Sequence, residues 1–381
     1  MNEKTGKVMV VGGGIAGLAA ALELSRQKVS VELVEKSCFL GGHSIGFTCK
    51  ATDKCLQCGA CSVEQILKDV VNEPLINVHL RTRVKQVDRS GSITAILEKS
   101  PVDGGAPGIL TGFSRHNVPF YVKTAEEIDS APEGAKDIGN MGSEGELAVD
   151  AVVVATGYTP FDPNEKSTYG YGKWDNVITG MELENMLREN ASVARPSDGK
   201  APEKIAFIQC VGSRDERLGH LWCSEVCCAY ALRMSATVKH KKPETDISVF
   251  YIDIQNAGKE FPVFYQQIKS DVRFVRTIPV DIYPVAEGQL QLRHMVEAEG
   301  TPASEVFDLV VLSVGIMPGQ DTAETAEIFD LPVTEDGFLD SSADSGVFVA
   351  GTAAGPASIA DTIAGSGKTA FEAMKYLGGI K

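Results

Sequence analysis

The sequence predicts an α/β protein made of two units, one nested inside the other, each built around a parallel β-sheet. Three observations predict it. Residues 7–11 read as a buried strand, run into GGGIAGLAAALEL, and are followed by the strand-like Val29–Glu35, which together make a βαβ unit. The same order recurs from Lys204, with a strand (KIAFIQC), a turn, a helix and the strand DISVFYIDI. Each unit also closes alike, on an apolar strand followed by Gly and soon Pro: AVVVATG at 151–157 and DLVVLSVG at 308–315. Strands that alternate with helices pack them onto a parallel sheet, so two nested Rossmann-like units are the simplest arrangement.

The remaining elements follow in chain order. A glycine- and cysteine-rich segment spans 41–61, a helix is expected around Val63–Val71, and residues 76–99 read as alternating strands. Residues 100–147 are rich in Gly, Pro, Ser and acidic side chains and read as strands with long loops. In the second unit one helix is expected through Ser224–Val238 and another around Lys259–Ile268. The tail Gly337–Leu377 returns to the first unit.

Composition narrows the function. The 381 residues are 43% hydrophobic and 23% charged, as in an ordinary globular protein, with a formal net charge of -15. That field repels phosphate backbones, so nucleic acid is not expected as a partner. The polar Met1–Lys7 fits no signal peptide. The uncharged Val8–Leu22 is too short to span a bilayer and is interrupted by Gly12, Gly13, Gly14 and Gly17.

Gly12, Gly14 and Gly17 form GxGxxG between a strand and a helix. The first permits a tight turn, the second lets backbone approach a pyrophosphate, and the third lets helix and strand pack closely. The helix N-terminus then offers free N–H groups to the phosphates. Glu35 ends the second strand, where a carboxylate can accept a hydrogen bond from a ribose hydroxyl. Gly41-Gly42, Ala155-Thr156-Gly157 and Phe348–Thr352 follow in the order of the FAD contacts in flavoproteins of the disulfide-reductase and thioredoxin-reductase type. That order favours FAD over NAD. Domain boundaries are then expected as an FAD-binding domain over 1–158, an inserted degenerate Rossmann-like domain over 159–302, and a return to the FAD-binding domain over 303–381.

The second glycine turn departs from this pattern. It reads Gln209-Cys210-Val211-Gly212-Ser213-Arg214, and only Gly212 survives, so no NAD(P) is expected there. In its place stands a cysteine set: Cys210, Cys223, Cys227 and Cys228. Cys223 and Cys227 are expected one helical turn apart on one face. Four thiolates converging on that turn suit a [4Fe–4S] cluster; a buried thiol group or a vicinal disulfide at Cys227-Cys228 is the rival reading. A second set, Cys55, Cys58 and Cys61 (CLQCGAC), matches the first three ligands of a ferredoxin-type run but lacks the fourth Cys-Pro. Cys49 could complete it, or the CxxC pair could be a redox disulfide. Cys38 stands alone. His43 is either a flavin-phosphate contact or structural, and Lys239–Lys242 reads as a solvated basic loop after a helix.

CVGSRDERLGHLWCSEVCCAYAL, FYIDIQNAGKEFPVFY, YGYGKWDNVIT and FVAGTAAGPASIADTIA resemble the A-type flavoprotein subunit of heterodisulfide reductase over most of the chain. The resemblance implies FAD, iron–sulfur clusters and electron transfer within a multi-subunit complex. It implies that Cys210, Cys223, Cys227 and Cys228 ligate a [4Fe–4S] cluster. It places Gly351, Thr352 and the segment Ser358 to Thr362 by the flavin, and the candidate FAD site is then Gly12, Gly13, Gly14, Ala16, Gly17, Glu35, Lys36, Gly42, His43, Val84, Ala155, Thr156, Gly157, Gly351, Thr352, Ser358 and Thr362. Larger members of the family often carry ferredoxin-like segments that are not visible here, which weighs against flavin-based electron bifurcation by this chain.

A short form with a CxxCGxC run near its start looks most like the corresponding flavoprotein of the quinone-interacting membrane-bound oxidoreductase complex of sulfate reducers. That likeness implies a cytoplasmic protein held peripherally at the inner face of the membrane by its partners. It would relay electrons between a quinone-linked membrane partner and adenylylsulfate reductase. The rival functions are a freestanding FAD-dependent disulfide reductase with a CxxC redox pair, and a scaffold that binds FAD structurally.

Overall fold

The computed structural model describes residues 6–37, 39–90, 92–99, 143–255, 261–296 and 299–378. Cys38, Lys259 and most of the 100–147 stretch therefore lie outside the described residues. The chain divides into two compact units: Met1–Gly46, Gly59–Thr159 and Pro318–Lys381 form the first, and Phe47–Cys58 with Pro160–Met317 form the second.

The first unit contains β1 (Lys7–Val11), α1 (Ile15–Arg26), β2 (Ser30–Val34), α2 (Ala60–Val71), β3 (Ile76–His79), β4 (Thr82–Asp88), β5 (Ile93–Lys99), β6 (Glu144–Val149) and β7 (Ala151–Val154). β8 (Tyr158–Pro160) leads out of it. The second unit contains β9 (Val177–Thr179), α3 (Gly180–Glu189), β10 (Lys204–Val211), α4 (Cys227–Lys241), β11 (Asp246–Phe250), α5 (Phe261–Ile268), β12 (Arg273–Val275), β13 (Asp281–Pro284), β14 (Leu290–Val296), β15 (Thr301–Phe307) and β16 (Leu309–Val314). β17 (Ile316–Pro318) leads back to the first unit and its α6 (Thr322–Phe329), β18 (Val347–Val349) and α7 (Ile359–Tyr376).

In the first unit five parallel strands lie in the order β18-β7-β1-β2-β3. Val11 pairs with Val34 on one side and Val154 on the other, so the chain switches direction at β1 and the loops after β1, β2, β7 and β18 leave from one edge. Open α/β sheets bind ligands in such a crevice. One sheet face carries Val8, Val10, Val31 and Leu33 beneath α1, α2 and α7. The other carries Met9, Val34 and Val154 against the antiparallel β4-β5-β6 sheet. Alternation of side chains along each strand is what divides the two cores.

The second unit repeats this plan. Its parallel sheet runs β12-β11-β10-β16-β9, with α3, α4 and α5 over Ile205, Phe207 and Val311 on one face. The antiparallel β13-β14-β15 sheet covers Ala206, Ile208 and Leu312 on the other. A capping box starts α3: the Thr179 hydroxyl accepts the Glu182 N–H, and the Glu182 carboxylate accepts the Thr179 N–H.

Three expectations differ from the structure. The return to the first unit falls at Pro318 rather than residue 303, because β15 pairs with β14 and β16 with β10, completing the second unit's sheets. The α4 helix begins at Cys227 rather than Ser224, so Cys223 is not a helical neighbour of Cys227. Glu225 adopts φ +61°, a left-handed conformation that no α-helix continues through. Finally, Lys239, His240 and Lys241 form the last turn of α4 rather than a loop after it. There the Lys239 ammonium donates to the Pro243 and Thr245 carbonyls, and cations suit the negative end of the helix dipole.

Candidate functional site

In the first unit the glycine turn stands at the end of β1. Gly12 takes φ +106°, and a Cβ there would lie 2.2 Å from the Ala155 carbonyl oxygen, so only glycine fits. A Cβ on Gly17 would lie 1.8 Å from the Gly12 carbonyl oxygen, which is the close helix–strand approach the motif requires. Gly14 is different: a Cβ there meets only the Gly42 Cα, at 4.0 Å. Nothing in the fold needs glycine at that position, which leaves the space beside it for a ligand. Gly14 caps α1 with no side-chain hydrogen bond, so the first-turn N–H groups are offered to whatever lies there.

Glu35 is buried at the end of β2. Its carboxylate accepts the Gly13 N–H at 2.6 Å and the Ser37 N–H at 2.7 Å, tying the glycine turn to β2. A carboxylate has about four lone-pair positions, so capacity remains for a ribose hydroxyl. Lys36 is exposed and paired with Asp321. Gly41 donates its N–H to the Gly13 carbonyl, which lays Gly42 against Gly14. His43 follows, its Nε2 3.2 Å from the Tyr158 carbonyl oxygen and its ring against the Tyr158 ring. Desolvation holds its pKa below the usual imidazole value, against the pull of that carbonyl.

Ala155, Thr156 and Gly157 leave the end of β7, and Gly351 and Thr352 leave the end of β18, at the same sheet edge as Gly12. A Cβ on Gly351 would lie 2.4 Å from the Ala16 Cβ, so this turn packs directly on the start of α1. Ser358 caps α7, accepting the Asp361 N–H, and Thr362 is buried in its first turn. Val84 behaves otherwise. Its side chain is buried in β4 with Met9 and Val154, leaving only backbone to meet a ligand.

In the second unit the corresponding turn follows β10. Gly315 donates to the Val211 carbonyl as Ala155 donates to the Val11 carbonyl. By this register Gly212 stands where Gly12 stands; beyond it the two turns part, since Gly14 caps a helix with φ -73° while Arg214 has φ +55° and enters a hairpin. The strand is bulged between Ile208 and Val211, and the extra residue Cys210 takes φ +57°. Bulges re-aim side chains beside functional sites. A Cβ on Gly212 would lie 2.0 Å from the Phe161 ring, so an aromatic fills the space above this turn. No helix follows at once. The chain forms a short hairpin with Asp215 and His220 bonded through their backbones, and the His220 Nδ1 meets the Gly212 carbonyl at 2.9 Å.

The four cysteines gather here. Cys210, Cys227 and Cys228 are buried and Cys223 is partly exposed. The Cys210 thiol is pushed well up by its hydrogen bond with Cys227 and by burial, against the pull of Arg214. For Cys227 the bond to Cys210 lowers the pKa, but the Cys228 thiol and burial outweigh it and push it up to about 12. Burial raises Cys223. Crowded sulfurs resist becoming thiolates until a cation neutralises them, and metal loading releases their protons.

Among the described residues no three Cys, His, Asp or Glu side chains are close enough to grip a single metal ion. A [4Fe–4S] cube asks for something different, one thiolate at each of its four iron corners. Two further features fit such a group. The Glu225 N–H points at the Cys223 sulfur, 3.3 Å away. Both amide atoms of Gln209 and the hydroxyls of Ser213 and Ser313 are buried with no hydrogen-bond partner among the described residues. Orphan polar atoms cost about 1–3 kcal/mol each, and they lie on the bulge, in the turn and on the strand beside it.

The first cysteine set is divided. Cys49, Cys55 and Cys58 lie in the Phe47–Cys58 segment of the second unit, while Cys61 lies in the first turn of α2 in the first unit. The Ala51 and Gln57 N–H groups point at the Cys49 and Cys55 sulfurs at 3.3 and 3.4 Å. Arg233 of α4 donates to the Leu56 carbonyl at 2.7 Å. Lys50 and Glu184 form an ion pair with both side chains 5% exposed, and Glu184 also accepts the Thr48 N–H. Removing one partner of a buried pair costs about 3–5 kcal/mol. Glu184→Ala should therefore lower stability by about that amount in a denaturant melt and speed alkylation of Cys49 and Cys55. Unchanged labelling would show that the pair does not hold this segment.

Sequence reasoning did not single out Arg214, Gln209, Glu184 or Arg233 as site residues. Gln209 and Arg214 flank Gly212 in the altered turn and could have been suspected, but the other two act through contacts distant in sequence.

The family model for pyridine nucleotide-disulphide oxidoreductase matches residues 6–208. The chain is 32% identical to the A-type subunit of H(2):CoB-CoM heterodisulfide,ferredoxin reductase from Methanothermobacter thermautotrophicus, covering 98% of this chain and 64% of that protein. It is also 32% identical to an A-type iron-sulfur subunit of CoB--CoM heterodisulfide reductase from Methanopyrus kandleri, with the same coverages. The chain thus spans just under two thirds of these relatives' length. Thioredoxin reductase of T. acidophilum shares its fold at a TM-score of 0.57 and 14% identity, over 100% of both chains.

Proposed function

The chain belongs to the family of the A-type subunits of heterodisulfide reductase, whose members are components of oxidoreductases, and on that premise we propose that it is an electron-transfer subunit holding FAD and an iron–sulfur cluster. One observation carries this reading. The two units share one plan, yet the turn at the switch point is an open glycine cradle in the first and a set of four gathered cysteines in the second. A flavin supplies exchange of electrons in pairs or singly, and an iron–sulfur centre supplies one-electron exchange.

The residues divide the remaining work. Gly14 and the α1 N-terminus receive the pyrophosphate, Glu35 takes the ribose, and the turns at Gly157 and Gly351 border the same edge. In the second unit Cys210, Cys223, Cys227 and Cys228 hold the cluster. Anaerobic purification with iron and flavin quantification tests the reading: one FAD and about four irons per chain are expected, and a chain that contains flavin but no iron would overturn it.

Phe161 fills the space over Gly212, and a hairpin follows the turn in place of a helix N-terminus, so the second unit has no phosphate cradle. NADH and NADPH should therefore not reduce the flavin rapidly in stopped-flow mixing. Rapid reduction would favour a freestanding disulfide reductase with Cys55 and Cys58 as its redox pair.

The finer reading places the protein in a complex that passes electrons between a quinone-linked membrane partner and adenylylsulfate reductase. The CLQCGAC run at 55–61 supports it. No described helix is long and apolar enough to cross a membrane, so these residues would reach one through partner subunits. Co-purification with adenylylsulfate reductase from native membranes tests this; recovery of a different electron-accepting partner counts against it.

A further inference from the structure

Arg214 lies two residues past Gly212 in the altered turn, and its side chain is held in place. Its guanidinium pairs with both carboxylate oxygens of Asp253. Asp253 in turn presents its backbone carbonyl 3.9 Å from the Cys228 sulfur. The charge of Arg214 lies beside the Cys210 and Cys223 thiols. The guanidinium therefore lies by two of the four cysteines, and the backbone of its partner Asp253 lies by a third. The Arg214 backbone is itself left-handed, φ +55°, a conformation that costs a non-glycine residue energy and persists where the surroundings enforce it.

We propose that Arg214, oriented by Asp253, is the positioning residue that sets the reduction potential of the iron–sulfur centre at this turn. The inference rests on the cluster reading of the four cysteines. Reduction adds one negative charge to the cluster. A fixed guanidinium beside two of its sulfurs favours that state and raises the potential, while the Asp253 carboxylate opposes it. Burial and local charge are the terms that spread such potentials widely. A guanidinium suits the task because it stays charged at every accessible pH and binds a carboxylate in a fixed plane.

The test uses the full chain purified anaerobically, with iron content and a potentiometric titration followed by electron paramagnetic resonance. Arg214→Gln should keep its iron and shift the reduced-to-oxidised ratio at a given potential about tenfold toward oxidised, which is about 59 mV for one electron. Asp253→Asn should shift it the other way. Arg214→Lys, which keeps the charge, should stay near the wild type. A packing role alone would move both partners' variants together through loss of cluster. Full iron with unmoved midpoints, or shifts of one sign for Arg214→Gln and Asp253→Asn, overturns this inference and leaves the cluster reading standing. Absence of iron from the wild-type chain overturns both.

Discussion

Replacing Gly14 by Val should leave the chain folded and weaken flavin binding by up to about a hundredfold. The backbone there is extended, with φ -73° and ψ 179°, and valine adopts that conformation without strain. The only atom facing the new Cβ is the Gly42 Cα at 4.0 Å. The branched side chain would therefore occupy the space left for a pyrophosphate, and overpacking a fitted site by a few carbons costs up to about 3 kcal/mol. Gly17→Ala makes the contrast, because its Cβ would fall 1.8 Å from the Gly12 carbonyl oxygen. That variant should misfold whether or not flavin is present. Flavin fluorescence after gel filtration, with circular dichroism for the fold, separates the two outcomes. Normal flavin content in folded Gly14→Val would remove the cradle from the assignment.

The contrast between these glycines shows what was legible beforehand. GxGxxG names three glycines, and the sequence alone assigns each a role by position. Only the structure shows that Gly12 and Gly17 are demanded by their own backbone while Gly14 is not. The two Rossmann-like units were legible for a related reason: apolar strands alternating with helices pack onto a parallel sheet. The end of the inserted unit was harder to place. β16 is as apolar as β7, and no local signal says which sheet it joins; its pairing with β10 decides that.

The second turn misled in a more specific way. A spacing of four between Cys223 and Cys227 suits one helical face, but Glu225 is left-handed and Ser224 turns inward to accept the Ile316 N–H. The Trp222 indole donates to the Ile316 carbonyl from the same segment. Long-range bonds therefore override the local helical pattern. The Arg214–Asp253 pair joins residues 39 apart and could not be read from either segment alone. The sequence shows that cysteines stand at this turn; it does not show the electrostatic frame around them.

Replacing Cys223 or Cys228 by Ala should lower iron by about four per chain while leaving flavin content unchanged. The four cysteines reach their turn from separate places: Cys210 on a strand bulge, Cys223 before a left-handed residue, and Cys227 and Cys228 at the start of α4. A cube that loses one of four corners is expected to be lost as a whole, so either single change should empty the site. Every flavin-side residue belongs to the first unit, with its own sheet and cores, so flavin should stay. Cys223 is partly exposed and Cys228 buried, and agreement between the two variants guards against misfolding as the cause. Cys58→Ala then decides the other set. Iron should fall further in the double variant with Cys223 only if Cys49, Cys55, Cys58 and Cys61 also serve a cluster. If neither Cys223→Ala nor Cys228→Ala changes the iron, the metal is bound elsewhere. The gathered thiols at the second turn would then be better read as a redox pair at Cys227-Cys228.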